Sequence, residues 1–334
     1  MYAWQLKAPE PVEKGPLSRV DIPVPALRDR DVLIKVRNCA VCHTDLHIVE
    51  GEIDLPKLPV VPGHQIVGII ERVGPGATRF KVGDRVGVAW LNWADGTCYY
   101  CKHDQENLCD NGRFTGYSVD GGYAEYQVTD ERFVYPIPEG YSDAQAAPLL
   151  CAGVIGYRAL RLSNAREAAR IGLYGFGASA HIALQVLRHW GVQAYVFTRG
   201  AEHRKLAESL GAVWTGSSDD DPQAQMDCSI IFAPAGGLVP PALARLRKGG
   251  TLTLAGIHMS PIPQLDYSLI WGERVMRSVA NATRQDAEEL LAIAAQSPIH
   301  VEIETYPLHE INSVLLKLKR SEVQGAAVVD VSNA

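Results

Sequence analysis

The stretch Ile171-Gly172-Leu173-Tyr174-Gly175-Phe176-Gly177-Ala178-Ser179-Ala180 decides the architecture of half the chain. A run of buried-strand character leads into G-x-G-x-x-A, and the next ten residues, His181 to Trp190, read as a helix. Gly175 permits the tight turn, Gly177 lets a pyrophosphate approach the backbone, and the small third residue lets helix and strand pack closely. N–H groups at the helix start, around Ala178 and Ser179, would hold the phosphates. A second strand, Ala194 to Thr198, follows at βαβ distance. The motif alone is weak, but a strand before it and a helix after it predict a doubly wound parallel sheet that binds a dinucleotide. More βα units follow: helix Arg204 to Leu210, strand Cys228 to Phe232, helix Pro241 to Leu246 and strand Thr251 to Ala255. Just upstream, Ala144 to Arg161 has helical spacing interrupted by Gly153 and Gly156.

The first ~150 residues have a different texture. Val32 to Val36, Val67 to Val73 and Gly83 to Val88 read as short strands separated by Pro-Gly punctuation such as Gly74-Pro75-Gly76. Short strands with few helical periods predict a partly open β-barrel. The tail alternates again: helix Asp286 to Gln296, strand Val301 to Tyr306, helix Ile311 to Lys319 and strand Ala326 to Val331. Asp219-Asp220-Asp221 reads as a solvated turn, and no internal repeat is present.

A chain of 334 residues is too long for one ordinary core, and two domains are expected. Its 47% hydrophobic and 21% charged content fits a globular protein, and a net charge of −6 argues against nucleic acid or an anionic membrane as partner. No apolar run approaches the ~20 residues that span a bilayer, and the N-terminus lacks a signal-peptide core. An odd count of 7 cysteines favours metal ligation over a disulfide framework, with the cytoplasm as the expected compartment.

Four segments carry that chemistry. Cys42-His43-Thr44-Asp45-Leu46-His47 packs a thiol, two imidazoles, a hydroxyl and a carboxylate into a strand-to-helix turn. Pro62-Gly63-His64-Gln65 adds an imidazole beside a glycine, and Cys151 adds a second thiol. Cys, His and Cys with an open fourth position is a catalytic zinc pattern. In it Asp45 can orient a histidine, while Thr44 and His47 can move a proton. Each of these residues alone also suits a buried core position or a loop, and Thr44 suits a helix N-cap. The most specific local pattern is Asp95-x2-Cys98-x2-Cys101-x7-Cys109. Such tight spacing lets a loop wrap one ion, and four ligands would make a structural site. Aspartate is a harder ligand than thiolate, so water in its place, or no ion at all, stays open.

Together these landmarks resemble the zinc-dependent medium-chain alcohol dehydrogenases, in the style of bacterial cinnamyl-alcohol-dehydrogenase-like members. The resemblance runs the whole chain and rests on Cys42 to Asp45, Gly63-His64, the Cys98/Cys101/Cys109 lobe, Cys151, Gly175 to Ala180 and Gly256 to Pro261. It implies an α/β protein with a GroES-like barrel catalytic domain and an inserted Rossmann domain. The expected boundaries are 1–149, 150–280 and a return to the catalytic domain over 281–334. Position by position, it implies catalytic zinc on Cys42, His64 and Cys151, with Asp45 behind His64. It implies a proton relay through Thr44 and His47 by way of the cofactor ribose, and structural zinc on Asp95, Cys98, Cys101 and Cys109. Cofactor contacts would come from His43, Ile155, Gly175, Gly177, Ala178, Ser179, Thr198, Arg199, Arg204, Gly256 and Ile257. Four positions depart from the family pattern: Asp95 replaces a cysteine, Gln65 a glutamate and Ile155 a threonine, and Ala326 stands where an arginine is usual.

The implied activity is reversible hydride transfer between a primary alcohol or aldehyde and NADP(H) or NAD(H). The alternatives are a polyol or amino-alcohol dehydrogenase of the same superfamily, or a non-catalytic nucleotide-binding regulator. Trp90, Trp93 and Trp271 favour apolar, aromatic substrates over sugars. An acidic residue at the tip of the second strand would select NAD. Here Thr198-Arg199-Gly200 stands in that place, with Arg204 and Lys205 following, so NADP(H) is expected over NAD(H). A homodimer or homotetramer is expected from the family.

Overall fold

The structure is a computed structural model in which residues 1–332 are described. The chain divides into two compact units, one of Met1–Cys151 with the segment from Thr283 onward, the other of Ala152–Ala282.

In the first unit a seven-stranded sheet is centred on Asp31–Val41, which pairs antiparallel with Gln65–Val73, Tyr126–Asp130 and Ala326–Asp330. Arg85–Val88 and Val134–Pro136 extend one side, and Ile303–Pro307 lies beyond the last strand on the other. Val32, Leu33 and Ile34 are all buried, so both faces of the strand are covered there. Register shifts at Leu33/Ile34 and Val36/Asn38 bend the strand there, as bulges do in curved sheets. Val32, Ile34, Ile66, Ile70, Val86 and Tyr123 fill the core with Ile311, Val314 and Leu315 from helix Ile311–Lys319. The last strand therefore lies beside the one that leads into Cys42.

The second unit is a six-stranded, wholly parallel sheet. Its order is Trp214–Gly216, Gln193–Phe197, Arg170–Tyr174, Met226–Ile231, Leu246–Leu254, Val275–Ser278. This is the 3-2-1-4-5-6 order of a dinucleotide-binding sheet. Helix Ala178–Trp190 buries Ala180, Ile182, Ala183, Leu184, Val186 and Leu187, and Gly191 closes it in the left-handed conformation. Tyr174 and Phe197 stack from neighbouring strands at 4.2 Å, interplanar 3°.

Two features differ from the sequence reading. The helix expected over 144–161 is split: a turn Asp143–Ala146, a 3-10 segment Ala147–Leu150, then helix Ala152–Leu162. The break falls at Cys151 rather than at the glycines. Pro148 has no N–H to donate and Cys151 is non-helical at φ −136°, ψ −68°. Strands Trp214–Gly216 and Val275–Ser278 gave no periodic signal, the first being three residues long and the second exposed at every position.

Candidate active site and metal-binding lobe

Strand Asp31–Val41 ends where Cys42, in extended backbone (φ −138°, ψ 178°), caps helix His43–Glu50. The cap is thus Cys42, and Thr44 lies within the first turn. Fully buried Asp45 ties the turn together. Its Oδ2 accepts the Cys42 N–H at 2.9 Å, and its Oδ1 accepts the Gly63 N–H at 3.2 Å. The same Oδ1 lies 3.1 Å from His64 Nδ1. Gly63 sits at φ 94°, and a Cβ there would lie 2.7 Å from the Tyr123 ring, so the approach to His64 needs a glycine. With Nδ1 held by Asp45, Nε2 is the nitrogen turned to Cys42 Sγ, at 3.4 Å.

Cys151 completes the set: the ligating atoms of Cys42, His64 and Cys151 all lie within 4.8 Å of one another. Two donors on a tetrahedral zinc with ordinary Zn–S and Zn–N bonds stand about 3.5 Å apart, which matches the Cys42–His64 separation. Protonation fits as well. A hydrogen bond from Cys151 holds the Cys42 thiol well below its ordinary value against burial, with His64 and Thr44 adding to the effect. The Cys151 thiol is raised, by its bond to Cys42 and by burial. Burial disfavours charge on His64, yet Asp45 and Cys42 outweigh it and push the imidazole up to about 10. Thiolate, thiol and imidazole share protons that a divalent cation would displace.

Around this cluster, the Thr44 hydroxyl lies against Cys42 Sγ. His47 is on the same helix, with its Nδ1 against the Glu52 carboxylate. His43 is exposed at the first helical position. Gln65 is buried, and its Nε2 has no hydrogen-bond partner. Trp90 meets the His64 ring edge-on at 5.0 Å and packs on Phe114 and Tyr117, each at 5.5 Å, forming an aromatic wall.

The Asp95, Cys98, Cys101 and Cys109 donors also lie within 4.8 Å of one another. Asp95 organises the loop: Oδ1 accepts the N–H groups of Thr97 (2.7 Å) and Cys98 (2.9 Å), and Oδ2 accepts from Asn111 Nδ2 (2.8 Å). Those bonds hold its carboxyl well below the usual range. Its own N–H donates to Cys109 Sγ at 3.4 Å. Burial pushes Cys101 up to about 12, while hydrogen bonds from Cys101 lower Cys98. Asn111 and Glu52 escaped the sequence reading, since neither belongs to a spacing pattern.

In the second unit the expected cofactor residues gather at the carboxyl ends of strands. Gly175 and Gly177 follow Arg170–Tyr174, Thr198 and Arg199 follow Gln193–Phe197, and Gly256 and Ile257 follow Leu246–Leu254. Gly175 has φ 87°, and a Cβ there would lie 2.9 Å from Ala233 N. Gly177 N-caps helix Ala178–Trp190 with open space where a side chain would stand. Arg204 Nε donates to the Thr198 carbonyl at 3.0 Å, whereas Arg199 is exposed. Ile155 is half-buried on helix Ala152–Leu162.

Residues 28–139 match the alcohol dehydrogenase GroES-like domain. "Probable alcohol dehydrogenase AdhA" of Mycobacterium tuberculosis is 45% identical, over 98% of this chain and 97% of its own length. The chain belongs to the zinc-dependent medium-chain alcohol dehydrogenase family. A cinnamyl alcohol dehydrogenase of Sorghum bicolor superposes with a TM-score of 0.90 at 30% identity, covering 100% of this chain and 98% of that one. A cinnamyl alcohol dehydrogenase of Helicobacter pylori, solved with NADP(H), superposes at 0.85 with 26% identity, covering 98% and 96%. Family membership carries the class of activity, that of an alcohol dehydrogenase. No helix among the described residues is long and apolar enough to cross a membrane.

Proposed function

We propose that this family member interconverts primary alcohols and aldehydes with a nicotinamide cofactor, preferring apolar, aromatic substrates and NADP(H). The observation that carries the reading is the convergence of Cys42, His64 and Cys151 with Thr44 against the thiol. Those three residues would hold a zinc ion, which when bound supplies a Lewis acid for the alcohol oxygen. Bound nicotinamide supplies the hydride acceptor. In the oxidation the carbinol C–H leaves as hydride and the hydroxyl hydrogen as a proton. Thr44 would accept that proton at its hydroxyl as it gives up its own, and His47 would carry a proton outward. Reduction runs the same path backwards. Trp90, backed by Phe114 and Tyr117, offers the substrate an apolar face beside His64. Asp95, Cys98, Cys101 and Cys109 would hold a second, structural zinc.

The preference for NADP(H) rests on the tip of strand Gln193–Phe197, where Thr198 and Arg199 stand in place of an acid. The relative solved with NADP(H) adds support. His43, Ile155, Gly256 and Ile257 are assigned to the cofactor by family position. Self-association as a homodimer or homotetramer is supported by the exposed edge strand Val275–Ser278, on which Val275 and Met276 are apolar and partly exposed. A cytoplasmic setting is supported by cysteines that are all free thiols.

The test is steady-state kinetics with NADPH and NADH across aliphatic, aromatic and polyol substrates. Aromatic aldehydes with NADPH should give the highest kcat/KM. Arg199→Ala should raise KM for NADPH far more than for NADH, the lost charge-assisted contact costing about 1–3 kcal/mol. Higher efficiency with NADH would return Arg199 to the surface, and a preference for polyols would remove the aromatic assignment.

A further inference from the structure

We propose that Tyr123 is a positioning residue for His64, its phenol donating to Asp45 when the buried cluster holds its ion. The inference rests on the reading of Cys42, His64 and Cys151 as a zinc site and adds the group behind its carboxylate. The loop that presents His64 is clamped by one distant segment. Gly121 N–H donates to the Val61 carbonyl at 2.7 Å, Gly122 N–H to that of Gly63 at 2.8 Å and Tyr123 N–H to that of Pro62 at 3.0 Å. Asp120 Oδ1 accepts the Val61 N–H at 2.9 Å. The Tyr123 carbonyl in turn accepts the Trp4 N–H at 2.8 Å, so its backbone is fixed on both sides. Its ring lies against Gly63, where a Cβ would stand 2.7 Å from Cδ1 and 2.8 Å from Cε1.

Tyr123 is completely buried, and its hydroxyl has no hydrogen-bond partner. An unpaired buried hydroxyl opposes folding, and a phenylalanine would fill the same space without that cost. Asp45 has the complementary deficit. Each oxygen of a carboxylate can accept about two hydrogen bonds. Oδ1 faces the Gly63 N–H and His64 Nδ1, whereas Oδ2 accepts only the Cys42 N–H among the described residues. The phenol and the carboxylate are neighbours: burial pushes the phenol well above its ordinary range, and the charge of Asp45 adds to the rise. A free donor thus stands beside a buried carboxylate with room for one more. A buried charge needs its full set of donors, and a fully satisfied Asp45 holds Nδ1 firmly and leaves Nε2 for the ion. The segment from 120 to 123 therefore acts twice on His64, its backbone placing the loop and its phenol completing the carboxylate.

The experiment measures zinc affinity by chelator competition in wild type, Tyr123→Phe, Asp45→Asn and the double variant Tyr123→Phe/Asp45→Asn. Cys151→Ala identifies which zinc belongs to the buried cluster. Tyr123→Phe should weaken that zinc about three- to tenfold and leave the zinc of the Asp95 lobe alone. In the Asp45→Asn background the same change should cost less than about twofold, because the charge that the phenol serves is gone. Thermal melts separate this role from packing. In the Cys151→Ala background, where the buried cluster holds no ion, adding Tyr123→Phe should leave Tm at or slightly above that of its parent. Wild-type zinc affinity in Tyr123→Phe, an equal loss in the Asp45→Asn background, or a lowered Tm in the Cys151→Ala background would overturn the inference. Two zinc ions retained by Cys151→Ala at wild-type affinity would instead remove the zinc reading beneath it.

Discussion

The two donor clusters of the first unit are built on opposite plans. Asp95, Cys98, Cys101 and Cys109 come from one loop whose own hydrogen bonds shape it, and all but Cys109 are partly exposed. Cys42, His64 and Cys151 come from a strand-to-helix turn, a loop before a central strand, and the break between a 3-10 segment and a helix. His64 and its carboxylate partner are completely buried. A loop cluster is coupled mainly to its own folding, so losing a ligand should register as stability. The buried cluster is positioned by a core that does not depend on it, so losing a ligand there should register as chemistry.

The largest expected effect tests that division. Cys151→Ala should lower kcat at least about 10³-fold, because the ion that polarises the substrate loses its seat, while Tm stays near wild type. Kinetics beside thermal melts check it, and full turnover in a metal-verified variant would end the assignment of Cys151. Next in size, Asp45→Asn exchanges the oxygen facing His64 Nδ1 for an amide and should weaken zinc at the buried cluster by about 10–100-fold. Competition with a chelator measures this, and unchanged affinity would mean that burial alone orients His64.

Smaller, and of the opposite kind, is Asp95→Ala. It should reduce zinc from two ions per chain to one and lower Tm on the order of 5 °C, with kcat kept within about twofold. Asp95→Cys should keep both the ion and the Tm. Elemental analysis showing one zinc in wild type would mean that the lobe folds on hydrogen bonds alone. The smallest effect is expected at Arg284, which donates to Glu106 Oε1 (2.9 Å) and Oε2 (2.5 Å) and lies 4.8 Å over the Phe133 ring. Arg284→Ala removes a half-buried ion pair worth about 1–2 kcal/mol, a Tm loss of about 2–4 °C, and should leave zinc content alone. Loss of the lobe ion in this variant would show that the returning chain, not only the loop, supports the site.

The same contrast explains what was legible. The Asp95 to Cys109 donors could be read together because their spacing is local, and the turn at Gly175 to Ala180 because each of its residues meets a backbone requirement. Helix Ile311–Lys319 has the bounds that its periodicity indicates. Cys151 could be joined to Cys42 and His64 only through family resemblance, since nothing in the spacing of the three implies a common point. The helix expected over 144–161 breaks at Cys151 rather than at its glycines, because Pro148 donates no N–H and Cys151 leaves the helical conformation, which periodicity does not record. Glu52 stayed invisible because its place beside His47 depends on how Gly51 turns the chain.

By itself, then, the sequence determined the parallel dinucleotide-type sheet, the β-rich first half and the four-donor loop. Each depends on residues close in the chain, where backbone conformation and period suffice. Only the tertiary structure decided that the last strand pairs beside the approach to Cys42, that Asp45 also ties the Cys42 and Gly63 N–H groups together, and that Trp90 walls the site. Those placements come from burying side chains of distant segments in one core, and a buried carboxylate takes whichever partners the packing brings to it.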